Sequence, residues 1–210
     1  MYSPDNQFIV SGSKDQTIKI WSSLTFKLIT TLYGHTDTIF SLWVLFNSSN
    51  IVSGSQDNTI KIWKYTELSY YTNFRGHTNS INDLIFNSKN GDLISCSKDE
   101  TIRVWDMNSN QTKYLNQEHN RSCLSLYLLN NYNLVSTSED KSIKIWNTDL
   151  FYNISIIKGY NNNNNNIDKV VSQTNDINDN YYSNLIDQVS EYCKQNNQNS
   201  KCKILISNLN

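Results

Sequence analysis

Four times along this chain an apolar–basic–apolar run ends in tryptophan: Thr17-Ile18-Lys19-Ile20-Trp21, Thr59-Ile60-Lys61-Ile62-Trp63, Thr101-Ile102-Arg103-Val104-Trp105 and Ser142-Ile143-Lys144-Ile145-Trp146. β-Branched residues alternate with polar ones through each run, which is the period-two signature of a strand and not the 3.6-residue stripe of a helix. A second alternating run and a polar turn come just before, as in residues 8–13 followed by Lys14-Asp15-Gln16, and again within residues 51–63, 93–105 and 134–146. A further run precedes the last three units at residues 39–46, 81–86 and 123–129, and a weaker one follows each tryptophan at 26–32, 70–74, 111–115 and 152–157. The pattern predicts strands through residues 1–158, four to a full unit.

The tryptophans Trp21, Trp63, Trp105 and Trp146 are spaced by 42, 42 and 41 residues. A fixed period of this size marks an array of supersecondary units, none of which can bury its apolar face alone. The expected fold class is therefore all-β, a repeat of four-stranded antiparallel sheets.

Two further motifs recur with the same period. Ser-x-Ser-x-Asp occupies Ser11/Ser13/Asp15, Ser53/Ser55/Asp57, Ser95/Ser97/Asp99 and Ser136/Ser138/Asp140, and Gly-His occupies Gly34-His35 and Gly76-His77, with Glu118-His119 a weakened copy. With the tryptophan endings these units resemble WD40 repeats of the β-propeller class. The resemblance covers residues 2–158, although the Trp-Asp ending is intact only at Trp105-Asp106. It implies propeller blades and a buried network in each blade: His35–Asp57–Ser53–Trp63, His77–Asp99–Ser95–Trp105 and His119–Asp140–Ser136–Trp146. The first unit has Ser11, Asp15 and Trp21 but no histidine.

A His/Asp/Ser set invites a catalytic-triad reading. The recurrence at one period, with the serine on a strand face and not on an exposed elbow, argues for a structural role instead. The three histidines fall in three different units, which does not suit zinc. The six glycines are absorbed by Ser-Gly-Ser strands (Gly12, Gly54), Gly-His positions (Gly34, Gly76, Gly159) and a turn (Gly91), leaving none for a phosphate loop. No cofactor and no enzymatic activity are expected. Trp43, outside the networks, is expected to pack between blades.

A formal net charge of −1 and a pI near 6.3 give no electrostatic footprint for nucleic acid or an anionic membrane. No stretch approaches the roughly 20 apolar residues of a spanning helix, and the first residues do not resemble a signal peptide. Cys96, Cys123, Cys193 and Cys202 form no Cys-x-x-Cys, and two of them sit at packing positions inside repeats. Free thiols in a cytoplasmic or nuclear protein are the expectation.

Both ends depart from the repeat. Tyr2-Ser3-Pro4-Asp5-Asn6 resembles the turn after the first strand of a blade, so that strand is expected before Met1 or from elsewhere. Residues 159–210 are Asn-rich, with six consecutive asparagines at 161–166. They read either as a degenerate fifth repeat, with 167–172 as its first strand and 201–206 as its third, or as a tail with an amphipathic helix around residues 182–193. Propellers close with about 4–8 blades. The array is therefore read as an incomplete ring or a fragment, with open edges inviting self-association.

The resemblance implies a protein-interaction scaffold that binds peptides or proteins on one face of the propeller. That face maps to Lys14, Gln56, Lys98 and Glu139 in the inner turns and to Thr36, Thr38, Thr78, Ser80, Asn120 and Ser122 in the leading loops. The alternative is the substrate-receptor or regulatory domain of a larger enzyme complex such as a ubiquitin ligase. Against it, the nearest match to the receptor signature Trp-Asp-x-Arg is Trp105-Asp106-Met107-Asn108.

Overall fold

The computed structural model describes residues 1–3, 5–45, 50–64, 67, 69–158 and 169–172. Its sixteen strands are β1 (Phe8–Gly12), β2 (Ile18–Ser22), β3 (Leu28–Leu32), β4 (Ile39–Val44), β5 (Asn50–Ser55), β6 (Ile60–Lys64), β7 (Ser69–Phe74), β8 (Ile81–Asn87), β9 (Asp92–Ser97), β10 (Ile102–Asp106), β11 (Gln111–Asn116), β12 (Cys123–Leu128), β13 (Leu134–Ser138), β14 (Ser142–Trp146), β15 (Asn153–Lys158) and β16 (Lys169–Ser172). The described residues contain no helix. The strands form four sheets in the order β1-β2-β3, β4-β5-β6-β7, β8-β9-β10-β11 and β12-β13-β14-β15-β16. The chain divides into two compact units, Met1–Cys123 and Leu124–Asn210.

The central hairpin of every sheet is built by the same local chemistry. In the turn between β5 and β6, the Asn58 amide donates to the Ser55 carbonyl at 3.3 Å. The Asp57 carboxylate accepts from the amide and hydroxyl of Thr59 at 2.9 and 2.6 Å, and the Asp57 amide donates to the Ser55 hydroxyl at 3.0 Å. Asp15 with Thr17, Asp99 with Thr101 and Asp140 with Ser142 repeat these bonds. The residue after each aspartate is left-handed: Gln16 (φ 70), Asn58 (φ 67), Glu100 (φ 72) and Lys141 (φ 64). One side chain thus replaces the backbone partners that a tight reversal leaves unsatisfied.

A second signature sits one strand out. Register shifts by one residue immediately before each tryptophan, between Ile20/Trp21, Ile62/Trp63, Val104/Trp105 and Ile145/Trp146. Such a bulge adds local twist and re-aims the side chain beside it.

In the first unit the three sheets bury their faces against one another. Val10, Ile18, Ile20 and Leu32 of the first sheet meet Ile39, Val44, Ile51 and Trp63 of the second. The opposite face of the second sheet, with Val52, Ile60, Ile62 and Phe74, meets Ile81, Leu84, Leu93 and Trp105 of the third. Trp43 packs against this second cluster, as expected from the sequence. The glycine of Ser-Gly-Ser permits the close approach: a Cβ at Gly54 would stand 2.7 Å from the Ile81 side chain, and one at Gly12 2.7 Å from that of Ile39.

The first sheet has three strands, and a bridge pairs Tyr2 with Ile9. It has the register of Val44↔Ile51 in the second sheet and Phe86↔Leu93 in the third. In the second unit, β13 and β14 bury Leu134, Val135, Ile145 and Trp146. There the segment aligned with the first strand of a fifth repeat takes another place. Its residues 169–172 form β16, which pairs antiparallel with β15 as the outermost strand of the fourth sheet. Residues 159–168 and 173–210, where the helix and the rest of a fifth repeat were expected, lie outside the described residues.

Candidate functional site

The histidines come from the loops that lead into β4 and β8. His35 Nδ1 lies 2.7 Å from Asp57 Oδ2, and His35 Nε2 lies 2.7 Å from Ser53 Oγ. The Trp63 indole donates to the same Ser53 Oγ at 2.7 Å. In the third sheet the distances are 2.8 Å from His77 to Asp99, 2.7 Å to Ser95, and 2.8 Å from the Trp105 indole to Ser95. Each chain has one consistent set of proton positions. The indole donates to the serine oxygen, the serine hydroxyl donates to Nε2, and Nδ1–H donates to the carboxylate. The backbone amides of Thr36 and Thr78 add donors to Asp57 and Asp99 at 3.1 and 2.9 Å.

Hydrogen bonding and burial act together on the ionisable groups of these networks. For Asp99, desolvation is the largest single influence and pushes the carboxyl up, but hydrogen bonds from His77, Thr101 and Thr78 outweigh it. The carboxyl stays well below the usual carboxylate range. Asp57 is held down in the same way by His35, Thr59 and Thr36 against its own desolvation. Burial lowers the His77 imidazole below its ordinary value despite the raising influence of Asp99.

This chemistry is structural. Ser53, Ser95 and Ser136 are fully buried, and in the first two networks the serine oxygen is committed to both an indole and an imidazole. A nucleophile needs an exposed oxygen with a base to spare. In the second unit the Trp146 indole donates to Ser136 at 2.8 Å, and Asp140 holds its turn through Ser142. His119, in the first unit, is buried. In the first sheet the Trp21 indole donates to Ser11 at 2.9 Å, while Asp15 turns to the Lys19 ammonium at 3.0 Å. Among the described residues no group of three or more His, Cys, Asp or Glu side chains could hold a metal ion. No helix among them is long and apolar enough to cross a membrane.

The residues with surface to offer lie at one end of the sheets of the first unit. Lys14, Thr36, Gln56, Thr78, Lys98 and Asn120 are exposed, while Thr38 and Ser122 are half-buried. Ser80 is 4% exposed and its carbonyl accepts from the Lys98 amide at 2.9 Å, so its hydroxyl adds little to that surface. Glu139 is exposed on its own turn in the second unit. The loops and turns of the first unit are stitched by backbone bonds. Ile39 donates to Ser13 at 3.1 Å and Gln56 to Thr38 at 2.8 Å. The Asn58 side chain reaches the Thr78 carbonyl at 3.5 Å. Sequence reasoning missed Phe40, 42% exposed beside this end with the Lys98 ammonium 5.9 Å from its ring. Its alternation pattern alone would have flagged it, since its neighbours Ile39 and Ser41 point inward.

Comparison with known proteins agrees with this geometry. The structure titled "Structure of U3-55K" superposes with a TM-score of 0.70 at 21% identity, over 77% of this chain and 51% of that one. The chain thus spans about half the length of that neighbour, whose likeness shows the fold. "Polyadenylation factor subunit 2" of Neurospora crassa is 47% identical over 38 residues, 18% of this chain and 6% of that protein, a single repeat. The model of "WD domain, G-beta repeat" matches residues 1–22, 26–64, 68–106 and 111–147. With more than half of its residues matched, the chain belongs to the WD40 family, whose β-propeller blades serve as protein-interaction scaffolds.

Proposed function

We propose that this protein is a non-enzymatic scaffold that binds a protein or peptide segment at the end of the sheets carrying Lys14, Thr36, Thr38, Gln56, Thr78 and Lys98. The stitched rim carries the reading. The Ser13–Ile39 backbone bond joins the first sheet to the second, the Asn58 side chain reaches the Thr78 carbonyl of the third, and the Thr38–Gln56 and Ser80–Lys98 backbone bonds tie each leading loop to the turn of its own sheet, which limits the ordering that binding would still require. Small polar residues with two lysines and one exposed aromatic ring suit a polar segment with an apolar anchor. The polyadenylation factor subunit supports a protein that works within a complex, through one repeat.

The receptor alternative gains nothing at Trp105-Asp106: the Asp106 carboxylate is engaged by Asn108 and Ser109 of its own turn at 2.8 and 2.9 Å. The test is photo-crosslinking from position 56 or 98 against position 113 on an outer strand, followed by titration of the purified crosslinked protein. Lys14→Glu/Lys98→Glu is expected to weaken binding roughly ten-fold or more with unchanged unfolding. Crosslinking from position 113 alone, or unaltered affinity, would place the function elsewhere.

A further inference from the structure

The hairpin between β8 and β9 reverses through Ser88-Lys89-Asn90-Gly91, and all of these residues are exposed. It is pinned at both ends by groups that are not. Asn87 is fully buried; its side-chain oxygen accepts from the Lys89 amide at 3.0 Å and its carbonyl from the Gly91 amide at 2.9 Å. Asp92, opposite Asn87 in the register, is buried and holds the Lys113 ammonium of β11 at 3.2 Å. Between these anchors Gly91 is left-handed at φ 76, and nothing lies within 4 Å of where a Cβ would stand.

Asn90-Gly91 is the one Asn-Gly pair in the 210 residues. The Asn90 side-chain oxygen accepts from the Asp92 amide at 3.1 Å, which folds the side-chain carbonyl back along the backbone of Gly91. Asn87, Asn116, Asn131 and Asn147 make the same bond to the amide two residues on. In each of those the residue between carries a side chain: Ser88, Gln117, Tyr132 and Thr148. Asn90 alone of this set joins a held carbonyl to a following nitrogen with no side chain beside it.

We propose that Asn90 is a site of spontaneous self-modification, a one-way change that loosens the third sheet with time. The Gly91 nitrogen bonds to Asn90 Cγ and gives its proton to water. The Cγ–Nδ2 bond breaks, and Nδ2 leaves as ammonia with a proton taken from water. Water then opens the succinimide, at Cγ to give isoaspartate's partner product aspartate, or at the backbone carbonyl carbon to give isoaspartate. One water is exchanged for one ammonia, with nothing oxidised or reduced. The Asp92 amide serves the closing step, since it already donates to the oxygen on which negative charge gathers. The Gly91–Asn87 bond resists it and opens first, as an exposed turn readily does. Isoaspartate carries the main chain through the former side chain and adds a methylene to it between two buried anchors. The pairing of β8 with β9 then loosens from Asn87↔Asp92 inward. This turn lies at the opposite end of β9 from Lys98, so the proposed binding rim is left as it was.

The test is to age the whole chain at neutral pH, digest it, and follow each asparagine by mass spectrometry. Isoaspartate is counted by enzymatic methylation of its free α-carboxylate. Asn90 is expected to convert at least ~10-fold faster than Asn131 or Asn147, and faster still as pH rises, because the Gly91 nitrogen has to lose its proton. Amide hydrogen exchange at residues 92–95 is expected to quicken in the isoaspartate fraction. Asn90→Asp, which adds the charge without the methylene, is expected to leave that exchange unchanged. The proposal is overturned if Asn90 converts no faster than Asn131 or Asn147, or if the isoaspartate fraction exchanges like fresh protein. It is also overturned if Asn90→Asp loosens residues 92–95 to the same extent.

Discussion

Asp99 of the third sheet is 5% exposed and holds His77 at 2.8 Å, whereas Asp15 of the first is 48% exposed and holds Lys19 at 3.0 Å. Both stand in the same turn, with the same bonds to the threonine two residues on. The turn is thus a local device, complete within five residues. The network is a tertiary one, needing a loop 22 residues upstream to deliver an imidazole. In the first sheet the serine and indole meet at 2.9 Å, and the carboxylate bonds the Lys19 ammonium. A solvent-screened pair of this kind adds little to stability, whereas His77 and Ser95 are buried and leave unpaired partners when removed.

The largest expected effect separates the two indoles. Trp105 is 1% exposed, and Trp105→Ala should cost about 3–5 kcal/mol in urea unfolding. Trp21 is half-buried, and Trp21→Ala should cost clearly less. Equal losses would mean that the first sheet is as enclosed as the third.

A smaller effect divides the serines. Ser95→Ala strips a buried indole and a buried imidazole of their partner and should cost about 1–3 kcal/mol. Ser11→Ala, with no imidazole to strand, should cost less than about 1 kcal/mol. Similar values for the two would break the distinction between network and turn.

The strands were legible because alternation and a 42-residue period reinforce each other, and the networks of the second and third sheets because their four residue types recur at fixed offsets. Alternation misleads on burial, however. It assumes one dry face and one wet face, and here sheets cover both: β9 is buried at all six residues, Ser95 and Ser97 among them. Lys61, a polar letter in a strand, is 4% exposed with its ammonium 4.2 Å from the Tyr70 ring centroid. Ser80, expected on the rim, is buried, with the turn after β9 of its own sheet bonded to it through the Lys98 amide. The pairing of β16 with β15 was not legible either, because four residues with two valines carry no statement of which edge they join.

The smallest effect is in pH. The His77 imidazole is lowered in the folded state, so the unfolded chain binds its proton first. The stability it lends is present above about pH 6.5 and drains away as pH falls toward the folded value. Asp99 follows the carboxylate sign, its contribution being present above its ordinary value of 3.8 and lost below it. Urea unfolding between pH 7 and pH 5 should show a shallow decline that His77→Gln flattens and Lys19→Ala leaves unchanged. A slope untouched by His77→Gln would assign the acid sensitivity to another group.

The left-handed residues of the four hairpin turns have a consequence for how the surface can vary. Gln16, Asn58, Glu100 and Lys141 hold a backbone conformation that glycine adopts more cheaply, at a cost of order 1 kcal/mol for an ordinary side chain. No turn uses glycine there, so each displays a pair of side chains on a fixed frame: Lys14 and Gln16, Gln56 and Asn58, Lys98 and Glu100, Glu139 and Lys141. The frame is written in Ser, Asp and Thr or Ser, and of the displayed pairs Asn58 also bonds the next loop, at the Thr78 carbonyl. Charge at these positions can be recoded, by evolution or by a randomised library, without rewriting the hairpin that carries it.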